Sequence, residues 1–502
     1  MRTSRGAIHF AGFLVAASLF AGVARGETLS DAIAFAYQTN PSLQSQRAQL
    51  RALDEGYVQA EQGLRPSASV TGQVQYSSQQ VGKPSCSFLG CNDATPETTA
   101  AASQLTVTQP LYTGGRVSAR VRGAEGDILS GREQLRAAEA GVLQNVIQAY
   151  VDVRRDQRSL TIADQNVAVL QRQYDETKAR FDVGEVTRTD VAEAEGRLAA
   201  SRAELSTAQA QLGISRANYA AVVGQNPGDL EPAPPLSLLP PTVDQAFDIA
   251  ERNNPSLRAA DYAEQAAAAR VSEARAQRRP SISLQAQLGS NVPAAPLDLH
   301  NYNTAFTASA VLTQPLFEGG LIDSQVRQAL ETDNARRLDI DQARRQAMLS
   351  VAQAWNQLLA ARAGVISNRE QVAATEVAFD GVQQEEQVGL RTTLDVLNAQ
   401  LELRNAQLAL VNAERDEYFA GALVLAAMGL LEARNLTPET ALYDPKVSFN
   451  RIKHAGGTPW DPAVKALDSV GAPRLRTAPI GAEGPVATAP AADTAPLTPA
   501  KP

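Results

Sequence analysis

Between Gly115 and Val183 the chain runs without a single proline. A helix filling that stretch would be about 100 Å long at 1.5 Å per residue. Val146, Val153, Leu160, Val167, Tyr174 and Phe181 fall along it at a strict seven-residue spacing. A strict heptad imposes a left-handed supercoil, because a straight helix drifts about 20° per heptad. Ala149 and Ala163 stand at neighbouring seam positions, where small side chains allow close helix approach. A helix of this length has no globular core to wrap, so it must sit in a coiled coil or a helical cylinder.

The pattern occurs twice. Val351, Leu358, Val365, Val372 and Phe379 repeat the spacing, with Ala347, Ala354 and Ala361 on the seam. TLSDAIAFAYQTNPSL at 28–43 recurs as TVDQAFDIAERNNPSL at 242–257, and Arg65-Pro66 recurs as Arg279-Pro280. QPLYTGGR at 109–116 recurs as QPLFEGGL at 314–321, and FDVGEVTRTDV at 181–191 as EQVGLRTTLDV at 386–396. The offset is 214 residues early and 205 later, so one loop differs in length between the copies. The 502 residues divide into a leading segment (1–26), a first repeat (27–230), the Pro-rich connector EPAPPLSLLPP (231–241), a second repeat (242–443) and a C-terminal extension (444–502). The extension turns Ala/Pro/Thr-rich from about residue 473, a composition that predicts disorder.

The leading segment sets the compartment. Arg2 and Arg5 precede an apolar run from Ala7 to Val23, closed by small residues. This is the pattern of a secretory signal peptide, with cleavage near Ala24 or Gly26. Its removal takes Arg2, Arg5 and Arg25 and moves the formal charge from −8 to −11. No Cys lies near the cleavage site, and no later apolar run is long enough for a membrane-spanning helix. An acidic chain offers no electrostatic case for nucleic acid, and three His with two Cys leave little for a metal centre. No cofactor is expected, and no GxSxG, HExxH or P-loop suggests an enzyme.

Within each repeat a helical stretch runs to about Leu64 or Arg278, with Ser30 or Asp244 near its N-cap, and ends at the Arg-Pro pair. The period then changes to two. SASVTGQVQY (67–76) and SISLQAQL (281–288) alternate apolar residues with Ser, Thr and Gln and carry no charge. A second strand follows at 103–108 and 306–313. An ordinary half-buried sandwich strand would show the same alternation. The signal segment and the long helices favour transmembrane strands, one face in lipid and the other on a wet lumen. The long helices end at Val183-Gly184 and Val388-Gly389, and helices return over about 187–223 and 392–430. Four strands cannot close a barrel, and lipid tolerates no open strand edge. Eight strands would leave little lumen, whereas twelve, from three chains, would leave a pore.

NPSL (40–43, 254–257), QPLYTGG and QPLFEGG, and the VG turns followed by TRTDV and TTLDV resemble the TolC family of outer-membrane efflux and type I secretion channels. The resemblance covers about residues 28–440. It implies a mixed α+β membrane protein: a homotrimeric twelve-stranded β-barrel continued by a periplasmic α-helical barrel. It implies an outer-membrane exit duct for proteins or small toxic molecules, working with a periplasmic adaptor and an inner-membrane ABC or RND-type pump. The family's gate arginine falls on Arg391, with Thr189 and Asp190 as partners, and its gate tyrosine on Glu386, a departure. Asp395 matches the first of two entrance aspartates found in some relatives, but Asn398 stands at the second. A trimer then carries one ring of three carboxylates there. Val183, Gly184, Val388 and Gly389 would meet the adaptor. A trimer at −33 predicts mild cation preference.

Two further readings belong here. Cys86 and Cys91, five apart in an oxidising compartment, predict a disulfide closing a short outer loop. The competing function is a periplasmic coiled-coil adaptor or scaffold. It leaves the alternating strands unexplained.

Overall fold

The computed structural model describes residues 26–78, 85–87, 90–92, 97–293, 303–437 and 441–472. The leading segment up to residue 25, where the signal peptide is expected, most of the Cys-bearing stretch, residues 294–302 and those from 473 lie outside the described residues. The first repeat holds α1 (Leu29–Thr39), α2 (Pro41–Glu61), β1 (Ser67–Ser78), the short β2 (Ser85–Ser87) and β3 (Gly90–Asn92), β4 (Glu97–Tyr112), α3 (Arg116–Asp182) and α4 (Arg188–Val223). The second holds α5 (Val243–Asn253), α6 (Pro255–Ala276), β5 (Ser281–Pro293), β6 (Asn303–Thr313), α7 (Leu321–Gln387) and α8 (Thr393–Ala427). α9 (Ala433–Leu436), α10 (Pro445–Ile452) and α11 (Asp461–Ser469) follow.

Each opening stretch is two helices rather than the single one expected, and its N-cap is Thr28 or Thr242 rather than Ser30 or Asp244. The break falls at Asn-Pro. Proline drives the residue before it out of the helical region, and Asn40 and Asn254 both sit extended at ψ 121°. Each Asn then serves two helices. Asn40 Oδ1 accepts from Ser42 and Leu43 N–H at 3.0 and 3.3 Å, capping α2, while Nδ2 donates to Val222 O at the end of α4 (3.2 Å). Asn254 does the same for α6 and for Ala427 O at the end of α8 (3.0 Å). One carboxamide, donor and acceptor at once, thus joins two helices end to end beside a 67-residue neighbour.

α3 packs against α2 and α6 near the sheet and against α4 and α8 beyond. α7 packs against α6 and then α8. The principal core lies where these sets meet: Ile33, Leu143, Val146, Ile147, Tyr150, Tyr219, Val351 and Leu358 are all buried. Along the heptad, Val146 and Val153 are fully buried and Phe181 is exposed, so cover declines toward the far end.

The four long strands form one antiparallel sheet in the order β1-β4-β5-β6. β4 begins at Glu97, six residues before the expected Ser103, because β1 pairs with it as far as Ser78↔Glu97. Val70 lies opposite Leu105, Leu105 opposite Leu288, and Leu288 opposite Phe306. Opposed residues share a face, so this row forms an apolar band across the sheet. It is uncovered: Val70 is 74% and Phe306 70% exposed. Thr106 and Gln287, paired with each other, belong to the opposite, polar face.

Candidate functional site

The helices α3 and α7 end at the pole farthest from the sheet. Gly184 (φ +85°) and Gly389 (φ +77°) take the left-handed conformation that a side chain disfavours. Each turn closes in the same way: Glu185 N–H donates to Arg180 O (2.9 Å) and Leu390 N–H to Glu385 O (2.8 Å). Val183, Val388 and Leu390 are each more than 70% exposed, so each turn presents an apolar tip.

The return helices start with matched capping boxes. Asp190 Oδ2 accepts from Thr187 N–H (2.8 Å) and Oγ1 (2.7 Å), and Asp395 Oδ2 from Thr392 N–H (3.0 Å) and Oγ1 (2.8 Å). The Thr187 hydroxyl, then its amide, hold the Asp190 carboxyl below the usual range; at Asp395 the Thr392 amide leads and the hydroxyl follows. Both carboxylates therefore stay charged into mild acid. Arg391 Nε pairs with Glu385 Oε2 (2.9 Å), on its own hairpin. The structure thus brings Arg391 to Glu385 and not to Thr189 or Asp190, the latter being engaged in its own cap.

Between hairpins, the link nearest the tip is the partly exposed Arg180 to the buried Glu386. Arg180 also reaches Glu185 at 3.2 Å. Further along, Arg197 Nη2 donates to Asn398 Oδ1 (3.1 Å), Gln400 Nε2 to the buried Asn166 Oδ1 (3.2 Å), and Arg404 pairs with Glu204. Leu170, Leu198 and Leu397 form a small apolar core among these links. Sequence reasoning missed Arg180. The available signal was the opposite charge at its repeat position, since Arg180 corresponds to Glu385 and neighbours the position of Glu386.

The whole arrangement, uncharged sheet at one pole and clasped helical hairpins at the other, can be set against known proteins. The profile described as outer membrane efflux protein matches residues 32–225 and 246–429. The chain belongs to the outer membrane efflux protein family. It is 34% identical to outer membrane efflux protein BepC of Brucella suis over 430 residues, 86% of this chain and 91% of BepC. It is 24% identical to outer membrane protein TolC of Escherichia coli, covering 89% and 91% of the two chains. The crystal structure of VceC from Vibrio cholerae superposes with a TM-score of 0.67 at 23% identity, over 80% of this chain and 96% of that one.

As a member of this family the chain is an outer-membrane channel, an exit duct for export, and not an enzyme. Its sheet is the outer-membrane part, and its helices extend into the periplasm. The adaptor reading finds no support. At the outer end, β2 pairs with β3 so that Cys86 lies directly across from Cys91.

Proposed function

We propose that three copies of this chain close one twelve-stranded barrel and form a homotrimeric duct, gated at its periplasmic end. The observation that carries this reading is the sheet itself. Among the described residues β1 and β6 end it with unpaired edges, and its apolar face is bare. Lipid cannot satisfy an open edge, so β6 of one copy must meet β1 of the next. The two hairpins have equivalent registers, Ser67↔Thr108 and Ser281↔Thr313. The β4–β5 seam, with Thr108↔Gln285, is then a template. Carried over by the repeat offsets, it sets Thr313 opposite Thr71 of the next copy, and Ser309 opposite Gln75 of the next copy.

The domain division of the sequence reading stands as part of this proposal: signal (1–26), two repeats (27–230, 242–443) around a connector, and an extension (444–502). So does a Cys86–Cys91 disulfide, which the facing backbone positions support.

The apolar tips at Val183-Gly184 and Val388-Gly389 suit a periplasmic adaptor, through which an inner-membrane ABC or RND-type pump would deliver cargo. Protein and small toxic molecules are the two cargo classes this reading covers. Outer-membrane lipid meets the apolar band of the sheet.

For the gate, the Arg180–Glu386 pair is the intrachain clasp, standing where relatives use a tyrosine. Arg391 and Asp395 serve the entrance between copies, with Thr189 and Asp190 as acceptors on the neighbouring hairpin and Asn398 tied to Arg197. The pair is partly exposed, and such pairs contribute only about 0–1 kcal/mol to stability. Its effect should therefore appear in gating. Single-channel recording in planar bilayers tests this. Arg180→Glu and Glu386→Arg should each raise closed-state conductance, and the double swap should restore it. Unchanged conductance in both single variants would contradict the clasp.

A further inference from the structure

The C-terminal extension turns to a composition that predicts disorder only from about residue 473, and its last described helix is built into the foot of the sheet. α11 seats Val464 against Leu64 and Val117, beside Leu111 and Val121. Its Asp468 is fully buried. Oδ1 accepts from Thr113 N–H (2.7 Å), Thr113 Oγ1 (2.8 Å) and Gly115 N–H (3.2 Å), and Oδ2 from Ser118 N–H (3.2 Å) and Oγ (2.6 Å). These are the free donors at the start of α3, whose N-cap Gly115 has no side chain to satisfy them. Lys465 Nζ adds an ion pair to Glu61 at 2.6 Å.

Trp460, immediately before α11, fixes which side of the sheet the helix occupies. Its Nε1 donates to Gln109 Oε1 (3.1 Å). Gln109 is register-paired with Leu284 and follows Leu105 and Val107 on the apolar face. Gln109 stands two residues, about 7 Å of strand, beyond Val107. The indole thus lies at the periplasmic margin of the apolar band, on its outer side. There the segment leaves large apolar groups bare: Trp460 is 51%, Leu467 50% and Val470 84% exposed. No charged residue occurs in the band's strands except Glu97, at the opposite margin. Trp460 thereby joins this bare group of side chains to the margin of the band.

We propose that Trp460 and α11 form an interfacial anchor that lies on the periplasmic phospholipid leaflet of the outer membrane. Indole rings favour the headgroup level, with the ring in the apolar margin and the N–H bonded. Short helices with one apolar side lie in that plane. Asp468 locks the anchor to the start of α3, so the long helix is held at a fixed depth below the bilayer. The occupant is lipid because the exposed side chains extend the lipid-facing band; cover by a second copy of the chain is the competing outcome. The inference rests on the sheet spanning the membrane.

The chain has two tryptophans, and Trp355 is buried among the helices. Full-length protein with Trp355→Phe therefore reports on Trp460 alone. Reconstituted in phosphatidylethanolamine/phosphatidylglycerol vesicles, it should be quenched about twofold more by lipids carrying a shallow nitroxide than by those carrying a deep one. Leu467→Ser with Val470→Ser, both on the exposed side, should weaken that quenching without altering trimer recovery. Quenching only from the aqueous phase would overturn the proposal. Equal protection of Trp460 in lipid-free detergent trimers would also overturn it and assign the surface to a second copy. A fluorophore at Val74→Cys separates the two failures. If Val74 is in lipid and Trp460 is not, only the anchor falls. If neither is, the membrane reading of the sheet falls with it.

Discussion

The two repeats share their register, their helix joints and their turns, but they part company at the foot of the sheet. In the first, Asp468 caps α3 and α11 packs beside Leu111. In the second, a Cβ added at Gly319 or Gly320 at the start of α7 would meet nothing within 4 Å among the described residues, and Leu316 and Phe317, the counterparts of Leu111 and Tyr112, are about 90% exposed. A second difference lies just above. Gly123 and Gly126 let α3 close on Ala266 of α6, whereas α7 has Gln328 and exposed Glu331 at those positions. Duplication supplied two equal units. Among the described residues the C-terminal extension covers the first foot only, and the proposed trimer brings the next copy's β1 beside the other. The repeats differ where their neighbours differ, inside the chain for one and, in the proposed trimer, between chains for the other.

The largest expected effect comes from removing the one-sided lock. Asp468→Ala strands several buried donors at about 1–3 kcal/mol each. Amide exchange should rise at the start of α3 and along α11, while the start of α7 is unchanged. A rise of equal size at both would break the contrast. The same group makes the foot pH-sensitive. Burial pushes the Asp468 carboxyl up, but bonds from Ser118 and Thr113 outweigh it and hold the carboxyl below its ordinary value. A depressed carboxyl stabilises above its unfolded pKa and loses that contribution as pH falls through its folded one. α11 should therefore detach in acid, below the ordinary carboxylate range, and remain docked at neutral pH.

Next is Gly126→Glu, which gives the first repeat the residue of the second. A Cβ at 126 would meet Ala266 N at 2.9 Å. Overpacking of this kind costs about 1–3 kcal/mol, read as a lower denaturation midpoint. Glu331→Gly should be near neutral, within about 1 kcal/mol, the usual cost of glycine in an exposed helix. Equal losses would remove the asymmetry. The smallest effect tests what the repeats share. Asn40→Asp and Asn254→Asp keep the cap acceptor but lose the donor to Val222 O or Ala427 O. Each should cost about 1 kcal/mol, and by the same amount.

Much of this is legible in the sequence alone. The long helices are, because a proline-free heptad allows little else, and the strands are, because an uncharged period of two is rare. The Asn-Pro break was visible as a motif, but its purpose depends on a partner helix 182 residues away. The extent of β4 was not legible, since Glu97–Ala102 has no alternation of its own and is extended by pairing with β1. α10 and α11 are too short to announce themselves, and their apolar positions gain meaning only against α2 and the sheet foot. At the tip, the resemblance singled out Arg391 and marked Glu386 as a departure. The structure pairs Glu386 with Arg180, a contact between hairpins that no local pattern encodes.

The central claim is that three copies share one barrel through a β6–β1 seam copied from the β4–β5 seam. Cysteines at Ser309 and Gln75, on the polar face and opposed across that seam, test it directly in outer membranes, in a background with Cys86 and Cys91 replaced by Ser. Oxidation should convert the protein to a covalent trimer, while Ser309 with Val74, slipped by one residue, should not cross-link. Cross-linking of the slipped pair, or monomer only from the matched pair, would contradict the account.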